Sequence, residues 1–410
     1  MNLSFGRNLL RHGALALLVI FLLVGCRVAP DAALADADEP PANEATVVMS
    51  TATQVVTPVD VTATGSAPLQ VAATPTTTSL PPTPTASATP SPTPTQAPAL
   101  RQLVTGGCCV NPVWSADGEA VRFLDRPAPD AAVGIYEVAA DVPAPVTAGT
   151  LFTTTIRSTA GGGRFYVLTE RESTTIEDLA SGRSYTIPSE GNQVAISPGG
   201  TRVAWQVRDE TSGVPQSERQ TTIWMANLDG RAPRALVTLS GLSDMRWLDE
   251  ESLLLQLRQM ADLDDRLLVR YDIENDETTV LDRAARFNGV TISRDGSFLA
   301  YYVSLDQDEP EQNGIWVMDA ASGVKHALPV TGAYQWRDGE RLLVIPMEMG
   351  APAFRLQEYD ASTGALRDLT DPATLPFRVA NNDWVVSPDG SRVVFVSADD
   401  GNLWLLEPGD

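Results

Sequence analysis

Lysine occurs once in this chain of 410 residues, at Lys325, and histidine only at His12 and His326. Cysteine is confined to Cys26, Cys108 and Cys109. These shortages exclude several chemistries. A phosphate-binding Gly-Lys-Ser/Thr loop would need Lys325, but Val324 precedes it. There is no Gly-x-Ser-x-Gly elbow, and a Ser-His-Asp site would have to use His326, which reads as a surface turn residue among outer strands. No CxxC spacing exists, so a four-ligand zinc site would have to borrow carboxylates. Cationic patches are scarce against a net charge of −23, which argues against nucleic acid and against direct adhesion to anionic lipid. Long apolar runs are missing too. Residues 14–24 form one that is too short to span a bilayer comfortably.

That run follows Arg7 and Arg11 and ends in Leu23-Val24-Gly25-Cys26. The pattern suits a signal peptide, and its end resembles the lipobox of bacterial lipoproteins. The resemblance implies lipidation of Cys26, cleavage before it and an anchored mature N-terminus. Residues 26–99 are rich in Thr, Pro, Ala and Ser. Such a composition buries too little apolar surface to offset its ordering cost, so a disordered linker is expected, extended by its prolines. The expected organisation is a signal peptide over 1–25, a linker over 26–99 and one folded domain over 100–410.

The folded part repeats itself. Trp114-Ser-Ala-Asp-Gly118, Ile196-Ser-Pro-Gly-Gly200, Ile292-Ser-Arg-Asp-Gly296, Gln335-Trp-Arg-Asp-Gly339 and Val386-Ser-Pro-Asp-Gly390 are each followed by strand-forming residues. Degenerate versions stand at Ser158-Thr-Ala-Gly-Gly-Gly163 and Trp247-Leu-Asp-Glu250, and the sixth unit is degenerate in putting Trp336 in place of Ser. The period of roughly 40–50 residues is that of four-stranded propeller blades. This predicts an all-β, seven-bladed β-propeller, with six blades as the rival if the second unit is an embellishment. The seventh unit stops one strand short, and residues 100–105 read as an outer strand without a blade. Placed on the last blade, that strand closes the ring and removes its open edges.

Trp224, Trp316 and Trp404 share a third-strand slot, while Trp114, Trp247 and Trp336 lie at or beside the ends of inner strands. Recurrence at equivalent slots predicts inter-blade packing rather than sugar stacking. Trp205 and Trp384 fit neither slot. The Ser-Pro-Asp-Gly phrase, the Arg-Val-Val-Phe or Arg-Val-Ala-Trp strand and the later Ile-Trp-Met or Leu-Trp-Leu strand resemble the TolB-like (WD40-like) propeller repeat. The resemblance implies protein binding at one face of the channel. The Gly-His and Trp-Asp signatures of true WD40 repeats are absent, and the linker stands where TolB carries an α/β domain.

Two acidic runs, Asp262-Leu-Asp-Asp265 and Asp306-Gln-Asp-Glu309, offer oxygens that calcium would accept, but neither matches a calcium-loop pattern and solvated charge is the better reading. No metal or cofactor is expected. Cys108 and Cys109 stand where the closing strand enters the first blade. In an exported protein they are candidates for a vicinal disulfide, the alternative being two small buried thiols. The expected function is a non-catalytic protein-binding or scaffold module, monomeric and lipid-anchored outside the cytoplasm, whose partner is an envelope protein or cell-wall component. The other class is a glycan-active or ligand-sensing propeller with a carboxylate site at the channel mouth.

Overall fold

The computed structural model describes residues 97–409 apart from 211–213, 215–218, 259–265 and 307–308. The expected signal segment, Cys26, the linker up to residue 96 and the acidic run 262–265 lie outside the described residues. The described chain forms seven four-stranded antiparallel sheets. Six are built from consecutive strands. The innermost strands are Val110–Trp114, Ser158–Ala160, Val194–Ile196, Leu242–Trp247, Phe287–Ile292, Gly332–Trp336 and Val379–Val386. The seventh sheet takes its outer strand, Ala99–Gln102, from the start of the domain.

That strand pairs with Leu403–Glu407, Leu100 facing Leu406 and Gln102 facing Trp404. It starts one residue earlier than expected and leaves the sheet at Gln102. The next residues then stitch the seventh blade to the first. Leu103 N–H donates to Leu403 O (2.8 Å), and Thr105 N–H donates to Val146 O (2.8 Å). Leu103 and Val104 are fully buried. Arg101 donates to the carbonyls of Ala140 (2.6 Å) and Val142 (2.8 Å) in the first blade. From the other side, Arg392 donates to Gly118 O (2.6 Å), and Trp114 Nε1–H donates to Val385 O (3.1 Å).

The repeated phrase has a local cause. In the first blade Ser115 is buried, its hydroxyl bonds Asp117, and its oxygen accepts the Ala120 N–H (2.9 Å). Asp117 also accepts Glu119 N–H (3.0 Å), so serine and aspartate together satisfy the turn's donors. Two departures from the phrase are explained by their neighbours. In the second, Gly163 sits at φ 87°, and a Cβ there would lie 2.0 Å from Trp114 O, so no side chain fits. The third has Gly199 in place of aspartate, and Glu250 of the fourth blade supplies the carboxylate, accepting from Gly199 N–H and Thr201 Oγ1 (2.8 Å). The second unit is thus a complete blade, Ser158–Ala160 to Arg183–Ile187.

The tryptophans of the inner strands, Trp114, Trp247, Trp336 and Trp384, are buried. Trp205 is buried as the cross-strand partner of Trp224, their rings stacked 6.3 Å apart. Tyr301 faces Trp316 and Phe395 faces Trp404 in the same way. The third-strand tryptophans are only half-buried, and two of them reach polar partners: Trp316 Nε1–H donates to Gln312 O (2.7 Å) and Trp404 Nε1–H to Asp400 (3.2 Å).

Starting the chain at Gly106 instead of Ala97 removes the closing ladder and two buried aliphatic side chains. Each buried aliphatic contributes about 1.5–3 kcal/mol, and each ladder bond about 1 kcal/mol. Denaturant unfolding of the two forms is expected to differ by about 5 kcal/mol or more.

Acid should unfold the domain through its turn carboxylates. The Arg164 hydrogen bond holds Asp178 down from its ordinary 3.8 to about 2. At Asp389 desolvation works the other way, but the bonds from Ser387 and Ser391 outweigh it, again giving about 2. A depressed folded-state value gives stability that is complete above 3.8 and is lost as pH falls through about 2. Calorimetric Tm is expected to fall over that window, and less steeply in Asp178→Asn and Asp389→Asn.

Candidate functional site

Every blade has the same up-and-down order, so its connections sort to two ends. Links from first to second and from third to fourth strands form one face, the turn face. Links from second to third strands, and from each blade to the next, form the other, the loop face.

The turn face spends its polar groups on itself. Asp295 accepts from Ser293 (2.8 Å), Ser297 N–H (3.1 Å) and Ser297 Oγ (2.8 Å). Asp338 accepts from the Glu340 (2.9 Å) and Arg341 (2.8 Å) amides. Arg337 is buried, paired with Glu358, and donates to Gly390 O (3.0 Å), tying the sixth blade to the seventh. Arg294 of the fifth blade reaches past the sixth to Ser387 O of the seventh. Desolvation lowers its pKa, yet its side chain stays exposed, as expected of a group standing in a concave mouth. It cuts a chord across the channel on this side.

The loop face differs. Six of the strongly exposed apolar side chains lie on it: Val110, Val133, Ile156, Leu305, Met347 and Met349. Met349 is 92% exposed and Met347 70%, the highest values among the large hydrophobics. The same links carry Glu170, Glu172, Glu309 and Glu311, while Glu210 pairs with Arg219 and Asp399 with Arg378. Asp306, from the second acidic run, is committed to its own loop, accepting Glu309 N–H (2.8 Å).

The channel's polar groups belong to the innermost strands. Arg246 bonds Asp244 (2.9 Å) and donates to Val290 O (2.7 Å) of the next blade. Tyr334 OH donates to Gly289 O (3.0 Å), and burial raises its pKa. At the joint of the seventh and first blades, Asn111, Asn381 and Asn382 all adopt positive φ (53°, 51° and 62°). Asp383 follows them. Burial raises its carboxyl above the ordinary value, opposed by one hydrogen bond from the Asn111 backbone.

Cys108 and Cys109 adjoin this cluster, their sulphurs within bonding contact and their Cα atoms 3.7 Å apart. Cys109 is buried in the core shared by the first and seventh blades, and Cys108 is half-buried. His326 is exposed, but it lies within the outer strand Lys325–Ala327 rather than in a turn, because its backbone pairs with Val317. Lys325 turns inward onto Asp282 (2.7 Å), which also accepts from Tyr301 OH (2.6 Å). Among the described residues no three His, Cys, Asp or Glu side chains converge on a metal-sized site. Sequence reasoning brought out the cysteines but missed Asp383, Arg294 and Glu250. The run Asn381-Asn382-Asp383 was a signal, since three turn-favouring residues in succession interrupt an inner strand.

No protein-family model matches the sequence, and no curated protein matches it. Solved structures do. An oligogalacturonate lyase in complex with manganese is similar over 76% of this chain and 96% of its own, with a TM-score of 0.51 at 14% identity. The β-propeller domain of the Trilobed protease from Pyrococcus furiosus matches 73% of this chain and 83% of its own (TM-score 0.41, 15% identity). TolB from Acinetobacter baumannii matches 64% of this chain and 63% of its own (TM-score 0.37, 14% identity). At these identities the likeness speaks for the fold alone. The chain is a seven-bladed β-propeller, and TolB and other propeller proteins are among its structural neighbours.

Proposed function

We propose that this propeller is a non-catalytic binding module, held at the cell envelope by a lipid on Cys26, which receives a protein partner on its loop face. The observation that carries the reading is the contrast between the two faces. The aspartates of the turn face are bonded within their own turns, whereas the loop face leaves Met347, Met349 and Leu305 in solvent. Exposed apolar side chains of this kind mark interaction surfaces, and methionine adapts to varied partners. The surrounding acids favour a partner segment rich in Lys or Arg and steer its approach.

Photo-crosslinking in intact cells, with capture of the tagged protein, tests this. One reproducible partner is expected. It should be lost or altered in Cys26→Ala, and its affinity should fall at least about tenfold in Met347→Asp/Met349→Asp, the loss expected when an interface anchor is removed. Ser362→Lys, on the turn face, should change it little. A partner insensitive to the methionine pair would end the loop-face assignment.

A second reading, a glycan-active or ligand-sensing channel mouth, is favoured by Asp383, a desolvated carboxyl on an innermost strand. The oligogalacturonate lyase has the same architecture. If this reading holds, the protein turns over or retains cell-wall or polyuronate glycans, and Asp383→Asn abolishes it. Absence of both turnover and retention removes it.

A further inference from the structure

We infer that Cys108 and Cys109 form a vicinal disulfide that acts as a thiol–disulfide switch on the channel rim, fixing the first inner strand against the seventh when oxidised and releasing it when reduced. The argument starts from the backbone. Of the eight non-glycine residues with positive φ among the described residues, four are Cys109, Asn111, Asn381 and Asn382, all at this joint. Asparagine tolerates that region well. Cysteine does not, so Cys109 at φ 83° needs something to hold it there.

The chain on either side shows what is held. Before the pair, Gly107 N–H donates to Asn402 Oδ1 (2.8 Å) and Cys108 N–H to Gly401 O (2.9 Å), so Cys108 is tied to the seventh blade. After the pair, the ladder into the first blade is irregular, slipping between Val110 and Val113. Cys109 is therefore the pivot between a fixed segment and a loosely registered one. Closing the bond to Cys108 limits the pivot and so fixes where Val110 and Asn111 enter the first inner strand. With the bond open, Cys109 is free to return to negative φ, which carries Val110 and Asn111 away from the seventh blade.

The chemistry needs a partner of the dithiol–disulfide class. A thiolate of such an oxidoreductase attacks the sulphur of Cys108, the more exposed residue of the pair, and displaces Cys109 as a thiolate that takes a proton. The oxidoreductase's second thiolate then attacks its own sulphur in the mixed disulfide and releases Cys108. Two electrons and two protons enter the pair, and the partner leaves as a disulfide. Closing the pair is the reverse.

The test uses the exported full chain. Alkylation under denaturing conditions without reductant should label neither Cys108 nor Cys109, and should label both after phosphine treatment. Hydrogen exchange read on a peptide covering residues 106–114 should then speed up about tenfold on reduction, the release expected when an over-determined backbone is freed. Exchange in residues 403–407 should be unchanged. The Cys108→Ser/Cys109→Ser protein should show the reduced pattern with or without reductant. Two labelled thiols before reduction would overturn the proposal. So would a disulfide whose reduction leaves exchange at 106–114 unmoved, or a serine variant that keeps the oxidised pattern.

Discussion

Everything in this domain depends on a four-residue ladder. Seven sheets arranged around an axis have no closure of their own, and the seventh is assembled from two ends of the chain, Leu403–Glu407 supplying its third strand and Ala99–Gln102 its fourth. The surrounding contacts all serve that joint. Leu103 and Val104 bury themselves beneath it, Arg101 grips the Ala140 and Val142 carbonyls, and Arg392 reaches the turn at Gly118. The cost of bringing distant segments together grows slowly with loop length, so a dense set of short-range bonds suffices to hold it.

The repeats carry a second constraint, a carboxylate for most of their turns. Where the phrase is intact, serine and aspartate supply it within the turn. Where it is broken, the group comes from elsewhere or is not needed. Glu250 serves the third blade's turn across the blade boundary, and Gly163 gives up its side chain because the Trp114 carbonyl occupies the space. Degeneracy in one unit is thus the imprint of its neighbour, which is why the weak second repeat is nonetheless a whole blade.

The architecture was legible because period-two strands and turn phrases recur, and recurrence averages out local ambiguity. Blade number, the closing strand and most strand positions followed from it. The tryptophan slots were half legible. Their recurrence marked packing, but a third-strand ring that keeps one edge wet for its N–H is a matter of side-chain partners, which spacing does not encode. The cysteine pair could be seen in the sequence because the residue is rare. Asp383 was no more than hinted at by the two asparagines before it, since its meaning rests on burial at the joint. Arg294 bonds a carbonyl two blades away, and nothing in a Ser-Arg-Asp-Gly phrase announces that reach. Contacts within a repeat can be read from one unit; contacts between repeats need the ring.

The closing strand has a mechanical consequence. The segment before Ala99 leads directly into the outermost strand of the seventh blade. Any tension arriving along that segment enters the domain through the ladder that completes the ring. Pulling on that segment and opening the propeller lie along one coordinate, so the element that takes the force and the fastener are the same four residues.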